Sequence, residues 1–106
     1  MVDGEVLWAV EVLLRIGLSA GVVISLGKYV RMQNTQVLIA REGDDCWLDL
    51  SSPLEAICLM VQQHERVMLR VSGPEDAALR TAKVLWRVLS SKYSNNIALM
   101  LQRELL

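Results

Sequence analysis

A chain of 106 residues suits one compact domain around one core and leaves no room for a second. With 53% hydrophobic and 22% charged residues it is too apolar for a disordered chain, and a formal net charge of -1 provides no basic field for nucleic acid. Cys46 and Cys58 stand outside any CxxC spacing, with a single histidine, His64, to join them. This argues against a zinc site and for buried free thiols in a reducing cytoplasm.

Val6 to Gly27 is an apolar stretch of 22 residues, long enough to cross a bilayer. Glu11 and Arg15 interrupt it near the middle at a combined insertion cost of roughly 5 to 7 kcal/mol, less if the pair neutralises itself. Asp3 and Glu5 occupy the place of a signal peptide's basic flank. A soluble fold is therefore favoured over a membrane segment. Period two puts Val6, Trp8, Val10, Val12 and Leu14 on one side and Glu11 and Arg15 on the other, which predicts a strand.

Gly17 breaks that strand. From Ala20 to Met32, Ala20, Val23, Gly27 and Val30 recur at helical spacing, with Lys28 and Arg31 outside the stripe and Ser19 as N-cap. Val22, Val23 and Ile24 favour strand as readily as helix, so here the spacing decides. "TQVLIAR" and "DCWLDL" flank a turn at Glu42, Gly43 and Asp44 and predict a β-hairpin, on which Asp44, Asp45 and Asp49 form a solvated surface.

"SSPLEAICLMVQQ" carries a helix-start signature. Ser52 is the N-cap, Pro53 the first helical residue, and Glu55 completes a capping box. "RVMLRVS" alternates as a strand, with Val67, Leu69 and Val71 on one side and Arg66, Met68 and Arg70 on the other. After Gly73 and Pro74, Glu75 and Asp76 favour the start of a long helix to about Ser91, with Leu79, Ala82, Trp86 and Leu89 as its main stripe. Asn96 to Leu105 predicts a further short helix. Residues 1–91 make up the domain, and 92–106 are a C-terminal helical extension of it.

This order, with several residues, resembles the HPr family, the histidine-containing phosphocarrier proteins of the bacterial phosphotransferase system, from about Glu5 to Ser91. In that family a Gly-Leu-His-x-Arg-Pro-Ala loop opens the first helix. Gly17 and Leu18 match it, whereas Ser19 stands at the position of the phosphorylated His, Gly21 at that of the Arg and Val22 at that of the Pro. "LDLSSPLEAICLM" is similar to the family's segment around a regulatory serine, which places Ser52 on that serine. "VMLRVSGPEDAA" resembles the last strand, the glycine turn and the acidic start of the final helix. The resemblance implies an α+β, open-faced β-sandwich of order βαββαβα, with a four-stranded antiparallel sheet and helices on one face; the C-terminal helix predicted above is an addition to it, where the chain departs from the family.

The chemistry of a carrier is missing from these positions. Imidazole carries a phosphoryl group through a labile P–N bond, whereas phosphoserine is a stable ester. Without the Arg, only helix amides remain to hold phosphate oxygens. His64 belongs to the turn between the second helix and the last strand and reads as a surface loop residue. Ser19 has no His base in sequence reach and no nucleophile-elbow glycines. The expectation is a cytoplasmic HPr-like protein that is not an enzyme and uses no metal or cofactor, a regulatory or protein-binding module related to the sugar phosphotransferase system. Its partner is then a protein and not nucleic acid. The resemblance implies a contact face of Leu18, Ser19, Val22, Leu54 and Ile57, with Ser52 as a candidate for regulatory phosphorylation beside its plain role as a helix cap. The alternative is a membrane-associated or structural module that reuses the fold.

The sheet face away from the helices should carry Leu7, Leu13, Trp47 and Met68, more apolar than a face left in water. The C-terminal extension offers Ile97, Met100, Leu101 and Leu105 at helical spacing, and the preceding helix adds Val84 and Val88 outside its main stripe. The expectation is that the extension covers this outer face, in its own chain or across a symmetric homodimer.

Overall fold

The computed structural model describes residues 5–14, 18–52, 54–55 and 65–90. Its elements are β1 (Glu5–Leu13), α1 (Ala20–Met32), β2 (Gln36–Arg41), β3 (Leu48–Asp49), β4 (Arg66–Pro74) and α2 (Glu75–Leu89). The strands form one antiparallel sheet in the order β1-β4-β2-β3. This is the α+β open-faced arrangement expected from the sequence.

β4 lies at the centre, with β1 on one side from Glu5↔Pro74 to Leu13↔Arg66 and β2 on the other from Gln36↔Ser72 to Arg41↔Val67. Its alternation places Val67, Leu69 and Val71 in the core and turns Arg66, Met68 and Arg70 to the outer face. Val12 and Leu14 from β1 and Val37 and Ile39 from β2 join the same core. Above it, α2 packs over β1 and β4, and α1 over β2. Each fully buried aliphatic side chain in this layer contributes roughly 1.5 to 3 kcal/mol, so a single continuous cluster can hold both helices on one face.

Helix α1 has the bounds that its spacing predicts. Val23, Gly27 and Val30 are buried as expected, but so are Leu26 and Tyr29, and Ala20 is exposed. Its C-terminus is closed by Gln33 and by Asn34 in the left-handed conformation, with the Gln33 N–H donating to the Tyr29 and Val30 carbonyls at 3.2 Å each. Gly73 has φ +147, and a β-carbon there would lie 3.2 Å from the Asn34 carbonyl oxygen. β4 therefore reaches the α1–β2 corner only through a glycine.

Four expectations need correction. In α2, Val84 and Val88 are fully buried in the core, while Trp86, assigned to the inward stripe, is 53% exposed. A helix lying over two strands buries a wider arc than a single stripe, here Ala78, Thr81, Ala82, Val84, Leu85, Val88 and Leu89. α2 ends at Leu89, capped by Ser90, whose N–H donates to the Trp86 carbonyl at 3.0 Å. The second hairpin strand shrinks to two residues, because the Asp44 carboxylate accepts the Cys46 N–H at 3.0 Å and turns the backbone away from β2. Cys46 is accordingly exposed and not a buried thiol.

The outer face does carry Leu7 at 64% and Leu13 at 40% exposure. Trp47 on this face is covered by one of the sheet's own charges, and its other charges pair with each other. The Arg70 guanidinium lies 4.0 Å from the centre of the Trp47 ring, and Arg66 bonds Glu11 at 2.7 Å with Glu42 3.8 Å away. That hydrogen bond and the Glu11 charge raise the Arg66 pKa. Ile97, Met100, Leu101 and Leu105, expected to cover this face, lie outside the described residues, as do Gly17, Ile57, Cys58 and His64.

Candidate functional site

The first turn of α1 is built by Ser19. Its extended backbone (φ -76, ψ 164) lets the carbonyl accept the Val23 N–H at 3.0 Å while the hydroxyl oxygen accepts the Val22 N–H at 3.4 Å. The turn contains no acidic residue, so the positive end of the helix dipole meets no carboxylate of its own first turn. Gly21 is exposed, and a β-carbon built on it would meet nothing within 4 Å. Leu18 and Val22 are partly buried and pack against the core. They are therefore less available to a partner than the sequence alone implies.

The segment that leads to Leu54 is shaped by a carboxylate. Asp49 Oδ1 accepts from the Ser51 N–H at 2.9 Å and from the Ser51 hydroxyl at 2.6 Å, and the Ser52 N–H donates to the Asp49 carbonyl at 3.1 Å. Glu55, expected to close a box on the Ser52 N–H, instead accepts the Asp49 N–H at 3.2 Å. The box is shifted because Ser52 already spends its N–H on the turn. Asp49 is thus no solvated surface carboxylate, and Ser52 is partly buried with its N–H held by the Asp49 carbonyl. Leu54 follows at 84% exposure.

This segment is fastened to α1 at the helix's C-terminal half. Arg31 Nη1 donates to the Ser51 carbonyl at 2.6 Å, and a β-carbon on Gly27 would lie 3.0 Å from the Leu50 carbonyl oxygen. Along the helix, Arg31 is about 18 Å from Ser19 at 1.5 Å per residue. The described contacts therefore bring Ser51 and Ser52 to the far half of α1, while Ser19, Gly21 and Val22 sit together at its start. Ile24, a residue that the sequence reading passed over, is 40% exposed. Its signal was present: Ile24, Lys28 and Arg31 follow the i, i+4, i+7 spacing of the exposed face.

Beside Arg31 an open polar groove of about 510 Å³ is lined by Asn34, Thr35, Gln36, Ser51 and Ser72. Among the described residues it contains no carboxylate, imidazole or thiol, and the one described cation, Arg31, is engaged by the Ser51 carbonyl. Among the described residues no group of three His, Cys, Asp or Glu side chains is placed to hold a metal ion, and no helix is long and apolar enough to cross a membrane.

No family model matches the chain, and no curated protein does. The fold has clear counterparts among solved structures. It superposes on HPr-C-His from Thermoanaerobacter tengcongensis with a TM-score of 0.61 at 19% identity, over 80% of this chain and 94% of that one. A phosphocarrier protein HPr from Bacillus anthracis gives 0.56 at 18%, over 76% and 96%. The histidine-containing phosphocarrier protein of a Mycoplasma gives 0.57 at 15%, over 74% and 88%. The chain therefore has the phosphocarrier fold.

Proposed function

We propose that this chain uses the phosphocarrier fold to bind a protein and not to relay a phosphoryl group. The observation that carries this reading is the first turn of α1, whose only polar side chain, Ser19, is committed to the Val22 N–H. Ser19 is the position that corresponds to the carrier's histidine. A serine so placed forms at most a stable ester, and Gly21 offers open space where the carrier's arginine would hold the phosphate.

The partner is a protein of the sugar phosphotransferase system or one regulated by it, met in the cytoplasm. Its contact face comprises Leu54 and Ile24 with the flanks of Leu18, Ser19 and Val22, and Ile57 continues it. Exposed apolar side chains beside basic ones suit a protein surface. Ser52 is the regulatory position. A phosphate there would sit near the carboxylates of Asp49 and Glu55 and would loosen the turn that positions Leu54.

Two measurements test the reading. Incubated with phosphoenolpyruvate and the first enzyme of the phosphotransferase system, the protein should take up no acid-labile phosphate; uptake would overturn the claim about its chemistry. Affinity capture should retain a phosphotransferase-system protein on the wild type and lose it on Leu54→Asp. Retention that ignores Leu54 would remove the proposed face.

A further inference from the structure

The edge of the sheet opposite β3 carries a second surface, unrelated to α1. β1 is an edge strand: it pairs with β4 along all nine of its residues, and no described strand pairs with its other side. A groove of about 260 Å³ runs between this strand and α2, lined by Trp8, Val10, Leu79, Ala82, Lys83 and Trp86. Trp8 is 40% and Trp86 53% exposed, so two indole rings stand at its walls in water. The groove passes over Trp86 into a second one of about 360 Å³, where Arg80 and Arg87 join Lys83. Among the described residues no acidic side chain lines either.

From this juxtaposition we propose that the β1 edge and the Trp8–Trp86 groove bind an extended acidic-apolar peptide segment of a partner protein, added to the sheet as a fifth strand. A nine-residue ladder edge without proline or bulge presents a regular row of backbone donors and acceptors. Alternate residues of an added strand fall on the helix side, which places an apolar side chain between the indoles and a carboxylate two residues away against Arg80 and Lys83. The charge pattern decides the occupant. A second copy of this chain joined edge to edge would bring the same basic flank of α2 against itself, whereas an acidic segment neutralises it.

The test is selection of a random peptide library against the full-length protein, followed by titration of the recovered peptides. The expected yield is extended peptides alternating apolar and acidic residues, with affinity that falls as salt rises. Affinity should drop about tenfold or more in Trp86→Ala and in Lys83→Glu, and stay unchanged in Leu54→Asp on the other surface. Both Trp86 and Lys83 are exposed, and circular dichroism checks that the variants fold. Peptides without acidic residues, or binding indifferent to both variants, would overturn the proposal. So would sedimentation showing a dimer that Trp86→Ala dissociates, because the groove would then belong to a second copy. Wild-type protein that recovers no peptide, but does so once residues 91–106 are deleted, would equally overturn it by assigning the groove to that segment.

Discussion

Gly27 of α1 and Leu50 approach so closely that a side-chain carbon on the glycine would lie 3.0 Å from the Leu50 carbonyl oxygen. The Leu50 N–H is fixed to the Val37 carbonyl at 2.9 Å, and Arg31 grips the next carbonyl, so this backbone has little room to yield. Gly27→Ala should therefore destabilise the protein by about 1 kcal/mol despite alanine's better helix propensity. Gly21→Ala, in open space on the same helix, should stabilise it by roughly 0.5 to 1 kcal/mol. Urea unfolding of both variants checks the pair, and shifts of the same sign would refute the packing described.

Ser19 makes a single, long capping bond, and the turn beyond it lacks acidic residues. Ser19→Ala should cost about 1 kcal/mol, and Ser19→Asp should match or exceed the wild type, since its charge adds roughly 0.3 to 1 kcal/mol at the helix start. Thermal melts that rank alanine level with aspartate would mean that the cap is not formed in solution.

Thr81 is fully buried in α2, and its hydroxyl has no hydrogen-bond partner among the described residues. Valine keeps the shape and removes the unsatisfied group, so Thr81→Val should stabilise by about 1 kcal/mol. A loss of stability on chemical denaturation would show that the hydroxyl finds a partner.

On the outer face, Arg70 covers the Trp47 ring. In protein with Trp8 and Trp86 changed to phenylalanine, Arg70→Ala should shift the remaining emission to longer wavelength and cost about 0.5 to 1 kcal/mol. Unchanged emission would place the guanidinium elsewhere in solution.

The parts of the fold legible in the sequence are those set by local rules. Ser19 and the helical spacing fix α1, and the alternation from Arg66 to Val71 fixes β4 together with its faces. Less legible were features decided by neighbours distant in sequence. The phase of α2 follows from its seat over both β1 and β4, which buries Val84 and Val88 and leaves Trp86 at the rim. β3 is cut short by a competing turn at Asp44, and Glu55 serves Asp49 because Ser52 is already bonded. At the candidate site the residue types at Ser19 and Gly21 were readable, while the exposure of Ile24 and the packing of Leu18 and Val22 against the core depended on how α1 settles on the sheet.

The central place of β4 also governs how the protein comes into being. Of the described elements β1 is made first, yet its only described partner strand is β4, the last strand among them, with Glu5 opposite Pro74. During translation β1 must leave the ribosome with Leu7, Trp8 and Leu13 uncovered and wait for most of the domain to follow. Pairings between such distant residues slow folding and lengthen the life of the sticky intermediate. The sheet therefore cannot close before β4 has been made, and the interval before β4 arrives is when a chaperone has most to protect.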